Sequence, residues 1–155
     1  MSKVWENIID GIGNTPLVEI RNLNPNKKVK IFAKLESANP GGSIKDRTAL
    51  FMIKRAEERG ELTQRKIILE ATSGNTGIGL AMIAAAKGYK LCLAMPESAS
   101  EERKKILKAM GAQLYFTPAN LGTDGAIEYV YKLLRENPDK YYGTDQFNNK
   151  DNIAA

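Results

Sequence analysis

Two short stretches of this 155-residue chain combine residue types that bind small molecules and act on them. The first is Asn39-Pro40-Gly41-Gly42-Ser43-Ile44-Lys45-Asp46-Arg47. It puts one lysine in the first turn of a helix, directly after residues that allow close backbone approach. A lysine that is to form a Schiff base needs its ammonium destabilised, and the unpaired N–H groups at a helix start disfavour a second cation. Ser43 is a good N-cap, and Asp46 three positions later completes a capping-box pattern, which predicts Lys45 at the second helical position. Ala49, Met52, Ile53 and Ala56 recur at helical spacing, and Gly60 supplies the stop. Taken alone, Lys45 would be one solvated cation among 23 Lys and Arg residues.

The second stretch is Ala71-Thr72-Ser73-Gly74-Asn75-Thr76-Gly77-Ile78-Gly79. It follows Lys66 to Glu70, which reads as a short buried strand, and leads into a small and apolar helix over Ile78 to Ala86. A strand, a polar glycine-containing turn and a helix make an anion site from backbone N–H groups, hydroxyls and the helix dipole. Gly74, Gly77 and Gly79 are spaced G-x-x-G-x-G, which departs from the dinucleotide fingerprint G-x-G-x-x-G, and no Gly-Lys-Ser/Thr of a P-loop is present. A turn serving only helix–strand packing is the competing reading of this stretch by itself.

Together the two stretches resemble the cysteine synthase and cystathionine β-synthase family, pyridoxal-phosphate enzymes of the tryptophan-synthase-β-like fold. Asn14-Thr15-Pro16-Leu17, Pro96-Glu97, Lys108-Ala109-Met110-Gly111-Ala112 and Asp145-Gln146-Phe147 extend the resemblance over essentially the whole chain. It implies that Lys45 is the Schiff-base lysine and that Asn75 hydrogen-bonds the 3′-oxygen of the cofactor ring. It further implies that Thr72, Ser73, Gly74 and Thr76 grip the α-carboxylate of the amino-acid substrate, with Gln146 helping to hold it. The chemistry of these side chains agrees, since hydroxyls and amides at a helix start suit a carboxylate, and an amide suits a phenolate-like oxygen.

The resemblance also implies a second half beyond residue 155, carrying a glycine- and threonine-rich phosphate cup and the group that faces the pyridine nitrogen. Within the 155 residues, Gly122-Thr123 and Gly143-Thr144 lack the several glycines that wrapping a phosphate requires. The chain is therefore expected to supply the lysine and the carboxylate clamp but not the main phosphate anchor, and to be inactive by itself.

Composition fits a compact intracellular α/β unit, with 43% hydrophobic and 26% charged residues. The net charge of +5 is spread among acids, as in Glu101-Glu102-Arg103-Lys104-Lys105, and no basic–aromatic stripe points to nucleic acid. Cys92 is the single cysteine, in the apolar run Lys90 to Met95, and reads as a packing residue with no disulfide partner. The absence of histidine excludes Ser-His-Asp and Cys-His machinery, and no metal site is expected. No signal-peptide core and no membrane-spanning stretch are present, so the cytoplasm is the expected compartment.

Strand and helix signals alternate along the chain. Strands are predicted over Val29 to Leu35, Lys66 to Glu70, 90–95 and Ala112 to Phe116. A helix opened by Ser98 with Glu101 carries Ile106, Leu107 and Met110. Another, capped by Thr123 or Asp124, carries Ile127, Val130 and Leu134 and stops before Pro138. This alternation predicts an α/β fold, a mostly parallel sheet with helices on both faces. By the resemblance, residues 1–38 form an N-terminal segment that packs on a larger domain. Residues 39–145 form the small α/β domain with the lysine and the carboxylate loop, and 146–155 begin the second domain.

In the full-length parent, the family chemistry is β-replacement on an activated serine, O-acetyl- or O-phosphoserine, with sulfide to make cysteine. Condensation of serine with homocysteine is the alternative, because Gly41-Gly42 before Ser43 occurs in both groups. From another class, the 155 residues by themselves could be a substrate-binding fragment without turnover. The expected partners are an amino-acid substrate, sulfide or a thiol, and a second copy in a homodimer.

Overall fold

The computed structural model describes residues 4–155. A four-stranded parallel sheet forms its centre, built from β3 (Ile67–Ala71), β4 (Lys90–Pro96), β5 (Gln113–Thr117) and β6 (Tyr141–Gly143). Four helices surround it: α1 (Lys45–Glu58), α2 (Asn75–Lys87), α3 (Glu101–Ala109) and α4 (Gly122–Glu136). A short α5 (Lys150–Ile153) closes the described chain. Ahead of these lies an antiparallel ribbon of β1 (Leu17–Glu19) and β2 (Phe32–Lys34).

Both faces of the sheet are covered. Ile68, Leu91, Leu93 and Met95 pack with Met52, Ile53, Leu80, Ile83 and Leu107 from α1, α2 and α3. Leu69, Ala71, Cys92 and Ala94 pack with Ala126 and Val130 of α4. Alternating residues of β3 and β4 thus feed two cores, which is why these strands read as continuous apolar runs. Fully burying each Leu or Ile is worth about 1.5–3 kcal/mol, and the many side chains with near-zero exposure make this sheet the stable body of the chain.

Strand order is β5-β4-β3-β6. The chain starts at β3, steps outward through α2 and α3 to β5, then crosses back over the other face in α4 to pair β6 with β3. The direction of winding therefore reverses between β3 and β6. A crevice opens at such a switch point beyond the carboxyl ends of the strands.

Several predicted boundaries move. Helix α2 begins at Asn75 rather than near Ile78, so the polar turn itself supplies its first residues. Ser100 caps α3 by accepting from Arg103 N–H, where Ser98 was predicted. Helix α4 starts at Gly122, ahead of the predicted caps Thr123 and Asp124, because a short 3-10 turn over Ala119–Leu121 runs directly into it. The strand predicted over Val29 to Leu35 is paired only at 32–34. Strand β6 has no counterpart among the predicted elements, since three residues are too short to carry a period.

Candidate active site

The segments that leave β3 and β6 emerge side by side at the switch point. Thr72 is buried; its N–H donates to Ala94 O at 2.9 Å, and its Oγ1 accepts from Gly74 N–H at 3.1 Å. This bond closes the Thr72-Ser73-Gly74 turn and delivers the chain into α2. Ser73 and Gly74 are half-buried, Asn75 is exposed and Thr76 is buried at the helix start. Gly77 N–H donates to Gly74 O at 3.0 Å, and the amides ahead of it open the helix, where intrahelical acceptors are lacking, as an anion site requires.

Gln146 reaches the same place from β6, 70 residues away in sequence. Thr76 Oγ1 donates to its Oε1 at 2.7 Å. The turn that brings it there passes through Asp145 at φ 45°, a left-handed conformation that Asp tolerates better than most residues. Tyr131 from α4 donates to the Asp145 carboxylate at 2.9 Å, and Asn149 N–H donates to Asp145 O at 2.9 Å. That carboxylate acceptor pushes the Tyr131 phenol above its ordinary range, with partial burial adding to it.

Lys45 is half-buried and is the first residue of α1, one position earlier than predicted. Ser43 Oγ accepts from Lys45 N–H at 3.1 Å, yet the predicted capping box does not form. The Asp46 carboxylate turns back to Gly41 N–H at 2.6 Å instead. Gly41 makes this possible, because a Cβ there would lie 2.4 Å from Asp46 Oδ1. Asp46 is fully buried and its Oδ1 has no partner among the described residues. Burial pushes its carboxyl above the ordinary range, partly offset by the Gly41 hydrogen bond.

A second close approach sets the lysine against the anion loop. A Cβ at Gly79 in α2 would stand 3.1 Å from Lys45 O, 3.2 Å from Ala49 Cβ and 3.3 Å from Asp46 Cα. Gly79 lies one turn into α2, so the starts of α1 and α2 adjoin. Among the described residues Lys45 enters no ion pair.

The N-terminal segment is tied to this helix by a polar cluster. Arg47 holds Glu36 through Nε at 2.7 Å and a second nitrogen at 3.0 Å, and also reaches Thr15 Oγ1 at 3.2 Å. Asn39 donates to Ser43 O at 3.0 Å and accepts from Gly13 N–H at 2.8 Å. The Arg47 guanidinium, with the Thr15 hydroxyl, holds the Glu36 carboxyl down at about 2. The residues around Asn14-Thr15-Pro16 therefore serve to fix the lysine turn from below.

Sequence reasoning passed over three contributors. Arg103 from α3 donates to Asn75 Oδ1 at 3.4 Å, and the Asn75 Nδ2 group has no acceptor among the described residues. Gly79 supplies the helix contact, and Glu70, read only as the end of a strand, lies buried beneath Gln146. A lone acid ending the apolar run Ile67-Ile68-Leu69 was the available signal for Glu70. Arg103 carries no local signal, because it acts across a helix–helix contact; Gly79 stands in the glycine spacing of the second stretch, but its partner helix is not written there.

Residues 8–155 match the family model described as "Pyridoxal-phosphate dependent enzyme". The chain belongs to this family. It is 52% identical over 156 residues to the cysteine synthase of Aquifex aeolicus, covering 99% of this chain and 48% of that protein. The crystal structure of cysteine synthase from Entamoeba histolytica superposes with a TM-score of 0.94 at 44% identity, covering 98% of this chain and 46% of that one. The O-acetylserine dependent cystathionine beta-synthase from Helicobacter pylori gives 0.88 at 37% identity, covering 99% and 50%. The chain thus spans about half the length of the relatives it matches, and the expected tryptophan-synthase-β-like architecture holds over that half.

The side chains fit one end of the family's cofactor. An amine at a helix start suits its aldehyde, and the Asn75 amide donor suits its ring oxygen. Among the described residues neither Gly–Thr pair forms a cradle for the phosphate. The Thr144 hydroxyl is committed to Glu70, and Gly143 is packed so that a Cβ would meet Leu134 at 2.5 Å. A cleft lined by Asn75, Ile78, Glu102, Arg103 and Ile106 has a volume of about 160 Å³, below the roughly 300–1,000 Å³ usual for a small-molecule pocket. A larger groove of about 580 Å³ beside α4, lined by Thr117, Tyr129, Tyr131, Lys132 and Arg135, shares no lining residue with this cleft. Among the described residues no helix is long and apolar enough to cross a membrane.

Proposed function

We propose that this chain is the lysine- and carboxylate-binding half of a cysteine synthase, which replaces the β-substituent of O-acetyl- or O-phosphoserine with sulfide. The observation that carries the reading is the adjoining starts of α1 and α2, with Lys45 heading one and the Thr72–Thr76 turn heading the other. The cofactor, when bound, supplies an aldehyde that condenses with amines and an electron-poor ring that takes up the charge left when an α-proton departs. Lys45 holds the cofactor through its amine and, once released by the incoming amino acid, removes the α-proton with that same amine. Asn75 donates to the ring oxygen. Thr72, Ser73, Gly74 and Thr76, with Gln146, bind the α-carboxylate through hydroxyls, amides and the α2 N–H groups, which orients the α-proton toward Lys45. Closing the crevice around the carboxylate excludes water while sulfide adds at the β-carbon and acetate or phosphate leaves.

The ribbon and the described rest of the 1–38 segment then pack on a larger domain, 39–145 form the small mobile one, and 146–155 begin the second domain; residues 1–3 lie outside the described residues. The exposed Leu17, Val18 and Phe32 support this division. We place the reaction in the cytoplasm and the full-length protein in a homodimer, both on the family resemblance. A second reading is condensation of serine with homocysteine; the likeness to the O-acetylserine dependent cystathionine beta-synthase of Helicobacter pylori supports cystathionine formation, with O-acetylserine as the serine donor.

The test is Lys45→Ala in the full-length protein, assayed separately for cysteine from O-acetylserine with sulfide and for cystathionine from serine with homocysteine. Cysteine formation is expected to dominate in the parent and to fall by roughly 10³-fold in the variant. Dominant cystathionine formation would select the second reading, and undiminished turnover by Lys45→Ala would sink both.

A further inference from the structure

Glu70 is the penultimate residue of β3 and sits at the switch point with 4% of its surface exposed. Among the described residues it has no cationic partner. A buried carboxylate in that position is costly unless donors saturate it. Three do. Oε1 accepts from Ala71 N–H at 2.9 Å, and Oε2 accepts from the Thr144 hydroxyl and from Gln146 N–H at 3.1 Å. One oxygen therefore faces the segment leaving β3 and the other faces the segment leaving β6.

The second contact is the informative one. β6 pairs with β3 only as far as Gly143 opposite Leu69, with Thr144 N–H donating to Leu69 O. Beyond that point the sheet ladder no longer fixes the chain, and the next residue adopts the left-handed turn. Glu70 Oε2 holds the Gln146 N–H toward β3, while Asn152 Nδ2 donates to Gln146 O at 2.8 Å from the other side. The Gln146 side chain then accepts from Thr76 Oγ1, and its Nε2 group has no acceptor among the described residues. An amide donor is thereby held at the anion loop with its protons unused.

Resting on the carboxylate-clamp reading of that loop, we propose that Glu70 is a positioning residue for substrate recognition: by binding Thr144 and Gln146 it aims the Gln146 amide at the substrate's α-carboxylate. It touches no substrate atom. Its effect is confined to ligands that carry the carboxylate, which separates it from a role in folding alone. Glu70→Gln keeps the shape but offers one acceptor oxygen instead of two, so either the β3 or the β6 contact faces a donor it cannot accept from.

The experiment measures binding of L-alanine and of ethylamine to the full-length, cofactor-loaded protein through the cofactor's absorbance. Neither ligand has a β-leaving group, and they differ only in the carboxylate. Glu70→Gln is expected to weaken L-alanine about tenfold and leave ethylamine unchanged. Gln146→Ala should do the same, and the double variant should lose little more, because both act through one contact. Thr144→Val removes a single donor, and a smaller, about threefold, carboxylate-dependent loss is expected; it carries the test if Glu70→Gln does not fold. Equal weakening of both ligands by Glu70→Gln, or full additivity with Gln146→Ala, would overturn the inference while leaving the clamp intact. Unchanged L-alanine binding in both Gln146→Ala and Thr76→Ala would remove the clamp reading, and the role of Glu70 with it.

Discussion

The carboxyl edge of the sheet and the N-terminal ribbon meet at the same helix but are held by different forces. At the sheet edge, Leu69, Ala71, Leu93 and Ala94 are buried, and the polar groups above them are satisfied by one another. In the ribbon, Leu17, Val18 and Phe32 are exposed, and its attachment comes from the Glu36–Arg47–Thr15 cluster and from Asn39, with Ile9 and Ile12 ahead of it packed on the core. A two-stranded ribbon is marginal by itself, so its position depends on that polar cluster. The contrast teaches that the anion loop is positioned by packing and the lysine turn is positioned from below by charge.

The sharpest way to break this comparison is to truncate one apolar residue in each region. Leu69→Ala is expected to lower the unfolding free energy by about 2–5 kcal/mol in urea titrations. Leu17→Ala is expected to change it by less than about 0.5 kcal/mol. Equal losses would mean that the ribbon is packed as the sheet is.

Next in size is the helix contact. Gly79→Val is expected to cost about 1–3 kcal/mol through overpacking against α1, and to reduce labelling of Lys45 when pyridoxal phosphate and borohydride are added and the lysines are mapped by mass. Unaltered labelling with unaltered stability would show that α1 and α2 have slack where they adjoin.

The smallest effect is one of pH. Glu36 binds a proton more weakly in the folded chain, at about 2, than its ordinary 4.5. Its contribution is therefore complete above pH 4.5 and is lost as pH falls toward about 2. Trp5, which stands so close that a Cβ on Gly11 would meet its ring at 2.7 Å, reports on the ribbon side. Its fluorescence should change across that window in the wild type. In Glu36→Gln the change should already be present at pH 7, whereas identical profiles would place the hold of the segment elsewhere.

Much of the fold was legible because it is written locally. The 3.6 period of Ala49, Met52, Ile53 and Ala56, the apolar runs of β3 and β4, and the glycine turn between them each need only neighbouring residues. The capping box at Ser43 was misread for a specific reason. The pattern offers Asp46 a local partner, but a glycine five residues upstream offered a closer one.

By itself, then, the sequence determined the helix that carries Lys45, the polar turn of Thr72 to Thr76 and the alternation that makes the sheet parallel. Each follows from torsional preference and hydrophobic period over a few residues. Tertiary structure alone decided that β6 returns to pair with β3, that Thr76 donates directly to Gln146, and that Glu70 lies beneath them. Those contacts have no period and no cap. They exist because burying both faces of the sheet forces the last crossover back to β3, and the buried polar groups must then find one another.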